Sequence, residues 1–326
     1  MKQSYRIAKL RFASGIHLGS GIGEEYDHSA SLLHSDTLSA ALCSVWAAKG
    51  GDVRRFLESF QVSSAMPLYG GRLFLPLPPD KSCIRVAEDP DGKQHKRTKR
   101  LQWIEQPLWE KMACQGYIDI NSSMVSHCGK AIAATSASDI HIQYQGIEQK
   151  VAVVEGEDNE PYFFDRIYYG KDVELCVLYT SENEEAFKRS FRLLAANGIG
   201  TRRTVGNGLF EVEFGSIEID IPAAVDGVQL LSLWLPKADE WKSEVLKDSC
   251  YTILSRGGYI SGSSDRSARN KVKKSVNMIV AGSVIATSEL VGNIVDVAPA
   301  GFTSHPVWRD GRALCLPFKK LYNDEV

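Results

Sequence analysis

This chain of 326 residues has little of what usually assigns a protein at a glance. It has seven cysteines, Cys43, Cys83, Cys114, Cys128, Cys176, Cys250 and Cys315. The number is odd and none sits in a CxxC pair, which excludes a disulfide framework and predicts reduced thiols in a cytoplasm. It has no long hydrophobic run. The longest apolar stretch, Val276 to Ala286, is interrupted by Gly282 and Ser283 and is too short to span a bilayer. The opening MKQSYRIAKLRF alternates without a long apolar core, so no signal peptide is predicted. No charge dominates: 38 Lys and Arg face 40 Asp and Glu, a formal net charge of −2. That excludes a free-standing polycation and confines any nucleic-acid contact to local patches. Ligand clusters are also missing. Cys114, His127 and Cys128 match no zinc module in spacing, and Asp36, Asp119 and Asp139 form no metal-nuclease pattern, so neither metal nor cofactor is expected.

What the chain does have is the stretch NGIGTRRTVGNGLF, Asn197 to Phe210. Gly198, Gly200, Gly206 and Gly208 bracket Arg202, Arg203 and Thr204. A helical pattern precedes it, with Phe187, Phe191, Leu194 and Ala195 on one face, and an alternating strand pattern follows. Such a turn can present backbone N–H groups to an anion, since glycine tolerates positive φ and close approach, and paired arginines add bidentate phosphate contacts. It is not a dinucleotide fingerprint, which runs from strand to helix, and no Gly-Lys-Ser/Thr makes it a Walker loop. The alternative is a flexible hairpin with solvated arginines.

Length and composition predict a large core and two domains. Ser4–Phe12 reads as a strand. His34-Ser35-Asp36 opens a helix, with Ser35 or Asp36 as N-cap and Gly50-Gly51 as stop. Arg72–Leu77 reads as a second strand. Residues 79–170 are irregular, with a basic run (Lys93–Arg100), a short helical pattern that Pro107 should break or restart, and an acidic turn (Glu155–Pro161). They are expected to be a partly mobile insertion. Lys171–Tyr179 is a strand, a helix follows from about Asn183, and Leu209–Phe214 is a strand. The order left is strand, helix, strand, strand, helix, strand. The expected fold is α+β: two ferredoxin-like (RRM-like) domains with antiparallel sheets, residues 1–222 carrying the long insertion and the glycine-rich loop 198–208, and residues 223–326. In the second, strands are expected at Val228–Leu235, Gly257–Ser261, Lys274–Ile285 and Ala313–Phe318, with a helix over Asp239–Leu254.

At this point the chain resembles the RAMP superfamily of CRISPR proteins, which are built from ferredoxin-like domains with a glycine-rich loop between the last helix and last strand. HLG (His17–Gly19) follows the first strand and HSDTL (His34–Leu38) opens the first helix. The tail DVAPAGFTSHPVWRDGRALCLPF (Asp296–Phe318) looks like the closing segment of the fourth Csm subunit of type III-A effector complexes. The family loop tends to carry an aromatic before its last glycine and an arginine after it, where this chain has Asn207 and Leu209. The tail usually has an aromatic where this chain has Asp310.

The resemblance implies a non-catalytic subunit that caps the 5′ repeat-derived tag of the CRISPR RNA. It would dock the large polymerase-cyclase subunit and the first backbone RAMP subunit (the third Csm subunit), meeting target RNA only indirectly and no membrane. The expected RNA-binding residues are His17, Gly19, His34, Ser35, Gly198, Gly200, Thr201, Arg202, Arg203, Thr204, Gly206, Asn207, Gly208 and Arg256. Lys96, Arg97, Lys99 and Arg100 belong to a run that is either a solvated loop or a phosphate-contacting arm. Arg266, Arg269 and Lys271 either line the RNA path or face the large subunit. Related RAMP ribonucleases use a histidine near the first helix as general acid–base, so the alternative is a metal-independent repeat endoribonuclease working through His34. Arg309 and Asp310 beside Gly311 are expected to make a hairpin turn.

Overall fold

The computed structural model describes residues 1–19, 28–87, 98–135, 137, 139–152, 160–201, 203, 206–223, 226–268 and 270–319. The chain opens with strand β1 (Lys2–Phe12) and helix α1 (Ser35–Ala47), followed by a short helix α2 (Val53–Glu58) and strands β2 (Phe60–Val62), β3 (Met66–Tyr69) and β4 (Arg72–Pro76). His34 is the N-cap of α1, so Ser35 and Asp36 lie inside its first turn, not at the cap. The described residues of the expected insertion form regular elements. They include β5 (Ile84–Val86), β6 (Trp103–Glu105), α3 (Gln106–Gln115), β7 (Ile118–Ile120) and β8 (Ala131–Ile132). Pro107 starts α3: at the first turn its missing N–H costs nothing. A long hairpin, β9 (Gln143–Ala152) and β10 (Glu160–Tyr169), completes the segment.

Next come β11 (Val173–Ser181), α4 (Glu184–Asn197) and β12 (Phe210–Asp220). The main sheet has the order β12-β1-β11-β3-β4-β6-β8, with β2 also on β11. β1 lies antiparallel between β12 and β11, and β3 pairs antiparallel with β11. The last, first, third and second strands of the opening unit are therefore adjacent in that order, and β6 and β8 from the insertion extend the same sheet.

Along β1 and β11 both faces of this sheet are buried, and the pleat explains the sequence. Ala8, Leu10, Leu175 and Val177 face α1 and α4, which bring Leu38, Leu42, Phe187, Phe191 and Leu194. Ile7, Cys176 and Leu178 face the other way, toward Trp109 and Met112 of α3. Each of these large apolar side chains contributes about 1.5–3 kcal/mol by leaving water.

The C-terminal part contributes β13 (Gly227–Leu230), α5 (Ser243–Lys247), β14 (Ile253–Arg256), β15 (Val276–Ile279), β16 (Val284–Ile285), β17 (Gly292–Asp296), β18 (Trp308–Arg312) and β19 (Cys315–Phe318). It is mostly short strands: β16-β13-β19, β14-β15 and β17-β18. Three expectations are corrected. The helix expected over Asp239–Leu254 shrinks to α5, because Glu240 accepts N–H bonds from Lys237, Val291 and Gly292, which fixes a turn there. Gly257–Ser261 is a loop holding one bridge, Tyr259 to Val272. Arg309 and Asp310 lie within β18, paired with β17, not in a turn.

The boundary near residue 222 is not a gap in the core. Leu231, Leu314, Leu316 and Phe318 pack in the cluster that holds Ile7 and Trp109. Buried Gln229 accepts from Trp109 Nε1 at 2.5 Å and donates to the carbonyls of Pro76 and Gly282 at 3.0 and 3.1 Å. The structure is thus mixed α+β, rich in sheet. No helix of the described residues is long and apolar enough to cross a membrane, and all seven cysteines are free thiols.

Candidate nucleic-acid interface

The glycine-rich loop turns from α4 into β12 over the end of β1. Gly198, Gly200, Gly206 and Gly208 all have φ between +68° and +97°, a region where side chains are strained. Two of them are also needed for close approach. A Cβ on Gly200 would strike the His17 carbonyl, and one on Gly208 the Ile199 carbonyl. The loop is pinned by Thr201 N–H to His17 O at 3.0 Å, Gly208 N–H to Gly15 O at 3.0 Å, Ile199 N–H to Gly208 O at 3.0 Å and Ser14 Oγ to Gly206 O at 2.8 Å. These N–H groups serve the loop's own fold and are not offered to an anion. What remains for a ligand is the crest: half-buried Arg203, whose carbonyl takes the Gly206 N–H at 3.0 Å. Two polar atoms of the loop, Thr201 Oγ1 and Asn207 Nδ2, are buried without a partner among the described residues. Arg202 and Thr204 lie outside the described residues.

The same place receives the base of the β9–β10 hairpin. Ile16 and Ile167 exchange backbone hydrogen bonds at 2.9 and 2.8 Å. His17 is buried, its Nδ1 is 2.8 Å from the Asp165 carbonyl, and its ring stacks on Phe164 at 4.9 Å. Its position makes it a brace between loop and hairpin. The Asp165 carboxylate, also buried, accepts from Ser29 N–H at 2.8 Å and from Gln145. Gly19 is exposed and has open space around it. Beyond its base the hairpin carries apolar side chains into solvent: Ile147 is 64 % and Phe163 56 % exposed, with Tyr144 stacked on Tyr168 at 5.1 Å. Asp165, Phe164 and Phe163 were not found by sequence reasoning. Nothing in spacing links them to His17, and the run Tyr162 to Ile167 (YFFDRI) does not alternate.

The HSDTL segment forms a second cluster, and its partners are internal. Asp36 is 1 % exposed. Arg256 grips its carboxylate through Nε and Nη2, both at 3.0 Å, and Arg309 binds it through Nη1. Burial pushes the Asp36 carboxyl up, but Arg256 and Arg309 outweigh it and bring it down to about 2. Lys273 stands in the same cluster, and burial together with Arg309 lowers it to about 8. Ser35 Oγ accepts the Leu233 N–H at 2.9 Å, tying α1 to the C-terminal strands. Arg256 was expected on the RNA path; its guanidinium is engaged with Asp36 and Thr37 and is 13 % exposed. His34 is held neutral: burial, then Arg256, lowers it to about 4 against the opposing pull of Asp36. Its Nδ1 has no partner among the described residues.

Of the other expected contacts, Lys99, Arg100 and Arg266 are exposed, and Lys271 Nζ lies 5.3 Å over the Phe302 ring. Lys96, Arg97 and Arg269 lie outside the described residues. Among the described residues no group of three or more His, Cys, Asp or Glu is placed to hold a metal ion. The structure therefore joins His17, Gly200, Thr201, Arg203, Asn207 and Gly208 in one place. It separates from them the cluster of Ser35, Asp36 and Arg256.

Comparison with known proteins is consistent with this geometry. The family model for the CRISPR Csm4 C-terminal domain matches residues 225–318. A protein of Methanocaldococcus jannaschii described as CRISPR system Cms protein Csm4 is 21 % identical, with 96 % of each chain covered. A Mycobacterium tuberculosis protein of the same description is 26 % identical over 86 % of this chain and 88 % of its own. Among solved structures, a chain of the Csm3-Csm4 subcomplex of the type III-A CRISPR-Cas interference complex superposes with a TM-score of 0.65 at 17 % identity, covering 96 % of this chain and 99 % of its own. A chain of the Csm1-Csm4 cassette in complex with cA4 gives 0.63 at 18 %, covering 98 % and 100 %.

Proposed function

We propose, for a chain that belongs to the Csm4 family of type III CRISPR effector complexes, that it binds the 5′ repeat-derived tag of the CRISPR RNA and has no catalytic role of its own. It docks a large polymerase-cyclase subunit and a backbone RAMP subunit, as the Csm1-Csm4 and Csm3-Csm4 assemblies of its structural neighbours suggest. The fold reading that goes with this is a ferredoxin-like first unit, from the strand order β12-β1-β11-β3 under α1 and α4, with the C-terminal unit as a divergent second copy.

One observation carries the RNA reading: the glycine-rich loop is pinned against the end of β1 and the base of the β9–β10 hairpin, with Arg203 at its crest. A single-stranded tag offers phosphates and splayed bases. A rigid crest with an arginine takes the former, and exposed Phe163 and Tyr144 on the hairpin suit the latter by stacking. Removing one phosphate-binding arginine weakens binding with little change in sequence preference.

The endoribonuclease alternative is disfavoured by the state of His34. A general acid–base works best near the operating pH, whereas this ring is neutral down to about pH 4 and sits at a helix N-terminus beside the Arg256–Asp36 pair. The deciding experiment copurifies the chain with its complex subunits and crosslinks it to labelled CRISPR RNA, comparing wild type with Arg202→Ala/Arg203→Ala. Crosslinks to the intact tag that weaken in the double variant support the capping role. RNA cut at the repeat, abolished by His34→Ala, replaces it with the nuclease; crosslinks indifferent to the arginines replace it with a protein-only scaffold.

A further inference from the structure

The main sheet ends at β12, and the parity of its backbone groups can be read from its contacts. Leu209 O accepts from Ala13, and Ile221 exchanges hydrogen bonds with Met1, so odd-numbered residues point their N–H and C=O toward β1. Even-numbered residues point outward. At one end of the outer edge those groups are covered by α3: Gln106 Nε2 donates to Glu218 O at 2.7 Å, and Glu110 Oε1 accepts from Asp220 N–H at 3.0 Å. For Val212, Phe214 and Ser216 no partner of the outward N–H or C=O exists among the described residues. Sheet edges are normally blunted, because bare ones recruit another strand. Here the blunting stops at Glu218.

The geometry points to β12 from Val212 to Ser216 as a docking edge that accepts one extended segment of another protein subunit, added antiparallel or parallel as a further strand. The flanking side chains define its chemistry. On one face Glu211 and Glu213 are exposed, Glu213 held by Lys9 only at 3.6 Å. On the other, half-buried Val212 and Phe214 are flanked by Lys188 and Arg192, 5.4 and 5.5 Å over the Phe214 ring. The complementary segment alternates Lys or Arg, set beside the glutamates, with apolar residues that cover Val212 and Phe214. A second copy of this chain fits worse, since it sets its own Glu211 and Glu213 beside those of the first. The inference rests on the reading above only for the identity of the neighbouring subunits.

The test follows amide hydrogen exchange in the full chain, free and assembled with its complex subunits. The amides of Val212, Phe214 and Ser216 exchange freely in the isolated chain and slow by at least about tenfold on assembly. Ser216→Pro removes one outward donor and places a ring on the edge, while leaving the pairing with β1 intact because that N–H faces away from it. It weakens assembly on the order of tenfold relative to Ser216→Ala. Equal exchange in both states, or Ser216→Pro assembling like Ser216→Ala, overturns the proposal. Protection that grows with the concentration of the chain alone assigns the edge to a second copy and overturns it too. Crosslinked tag RNA with unprotected edge amides fails this inference alone; protected amides without RNA crosslinks fail only the RNA reading.

Discussion

Replacing Asp36 with asparagine keeps the shape of the side chain and removes the one anion of a buried cationic cluster. Arg256 and Arg309 are 13 % and 7 % exposed, and neither can return its guanidinium to water without moving β14 or β18. Breaking a buried ion pair on one side leaves the other charge stranded and costs about 3–5 kcal/mol. Here two arginines are stranded beside Lys273, so the expected loss lies at the upper end. The exposed pair Arg54–Glu58, at 2.7 Å with 41 % and 52 % exposure, is the control: Glu58→Gln should cost less than about 0.5 kcal/mol. Urea unfolding at pH 7, followed by tryptophan fluorescence, should show the Asp36→Asn midpoint lowered at unchanged slope. The pH dependence supplies a second reading. The folded carboxyl titrates near 2 against an ordinary 3.8, so its contribution is present above pH 3.8 and is lost as pH falls toward 2. That span corresponds to about 2 kcal/mol, by which the gap between wild type and variant should narrow. A loss below about 1 kcal/mol at pH 7, or a gap that stays constant between pH 4 and 2, would refute the reasoning.

His34 works in the same direction over a higher pH range. Its folded value near 4 lies below the ordinary 6.5, so stability is complete above pH 6.5 and falls as pH drops from there to about 4; His34→Gln should flatten that part of the unfolding profile. Gly208→Ala, with φ of +68° and no room for a Cβ, should distort the loop and remove RNA crosslinking, whereas Gly19→Ala should leave the fold unchanged, as thermal melts and crosslinking together would show. Gln229→Leu strands the Trp109 N–H and two carbonyls in the shared core, and is expected to cost about 2–5 kcal/mol in urea unfolding, with both halves failing in one transition.

The segments legible in the sequence were those whose period is set by one continuous face. α4 carries Phe187, Phe191 and Leu194 on a stripe, Asn183 caps it through the Ala186 N–H, and the glycines after Asn197 mark the turn without ambiguity. β1 and β12 read as strands, β12 only in part, because Gly215 and Ser216 look like an end when β1 pairs straight past them. The first part of the insertion looked irregular because β5, β6, β7 and β8 are three residues or fewer, too short for a period to register, yet Trp109 and Met112 place it in the main core. In the candidate site, the glycines and arginines of the loop were visible, but the brace beneath them was not: Asp165 and His17 meet across 148 residues. Arg256 advertised a charge and not its destination. A cation 220 residues from its carboxylate is indistinguishable in sequence from one that faces a phosphate.

The Asp36–Arg309 contact also sets an order of events in the making of the protein. Arg309 is synthesised 273 residues after Asp36. At about 5–20 residues per second, that is a wait of roughly 14–55 s. During it the first turn of α1 has no clamp from Arg309, while β1 and α1 are already made and β11 and α4 follow before Arg309 does. The nascent chain therefore passes through a stage in which the sheet has its helices but the charged N-terminus of α1 is open. A neighbour that recruits α1 early would compete with the chain's own closing segment, and one that binds the finished surface must wait for it.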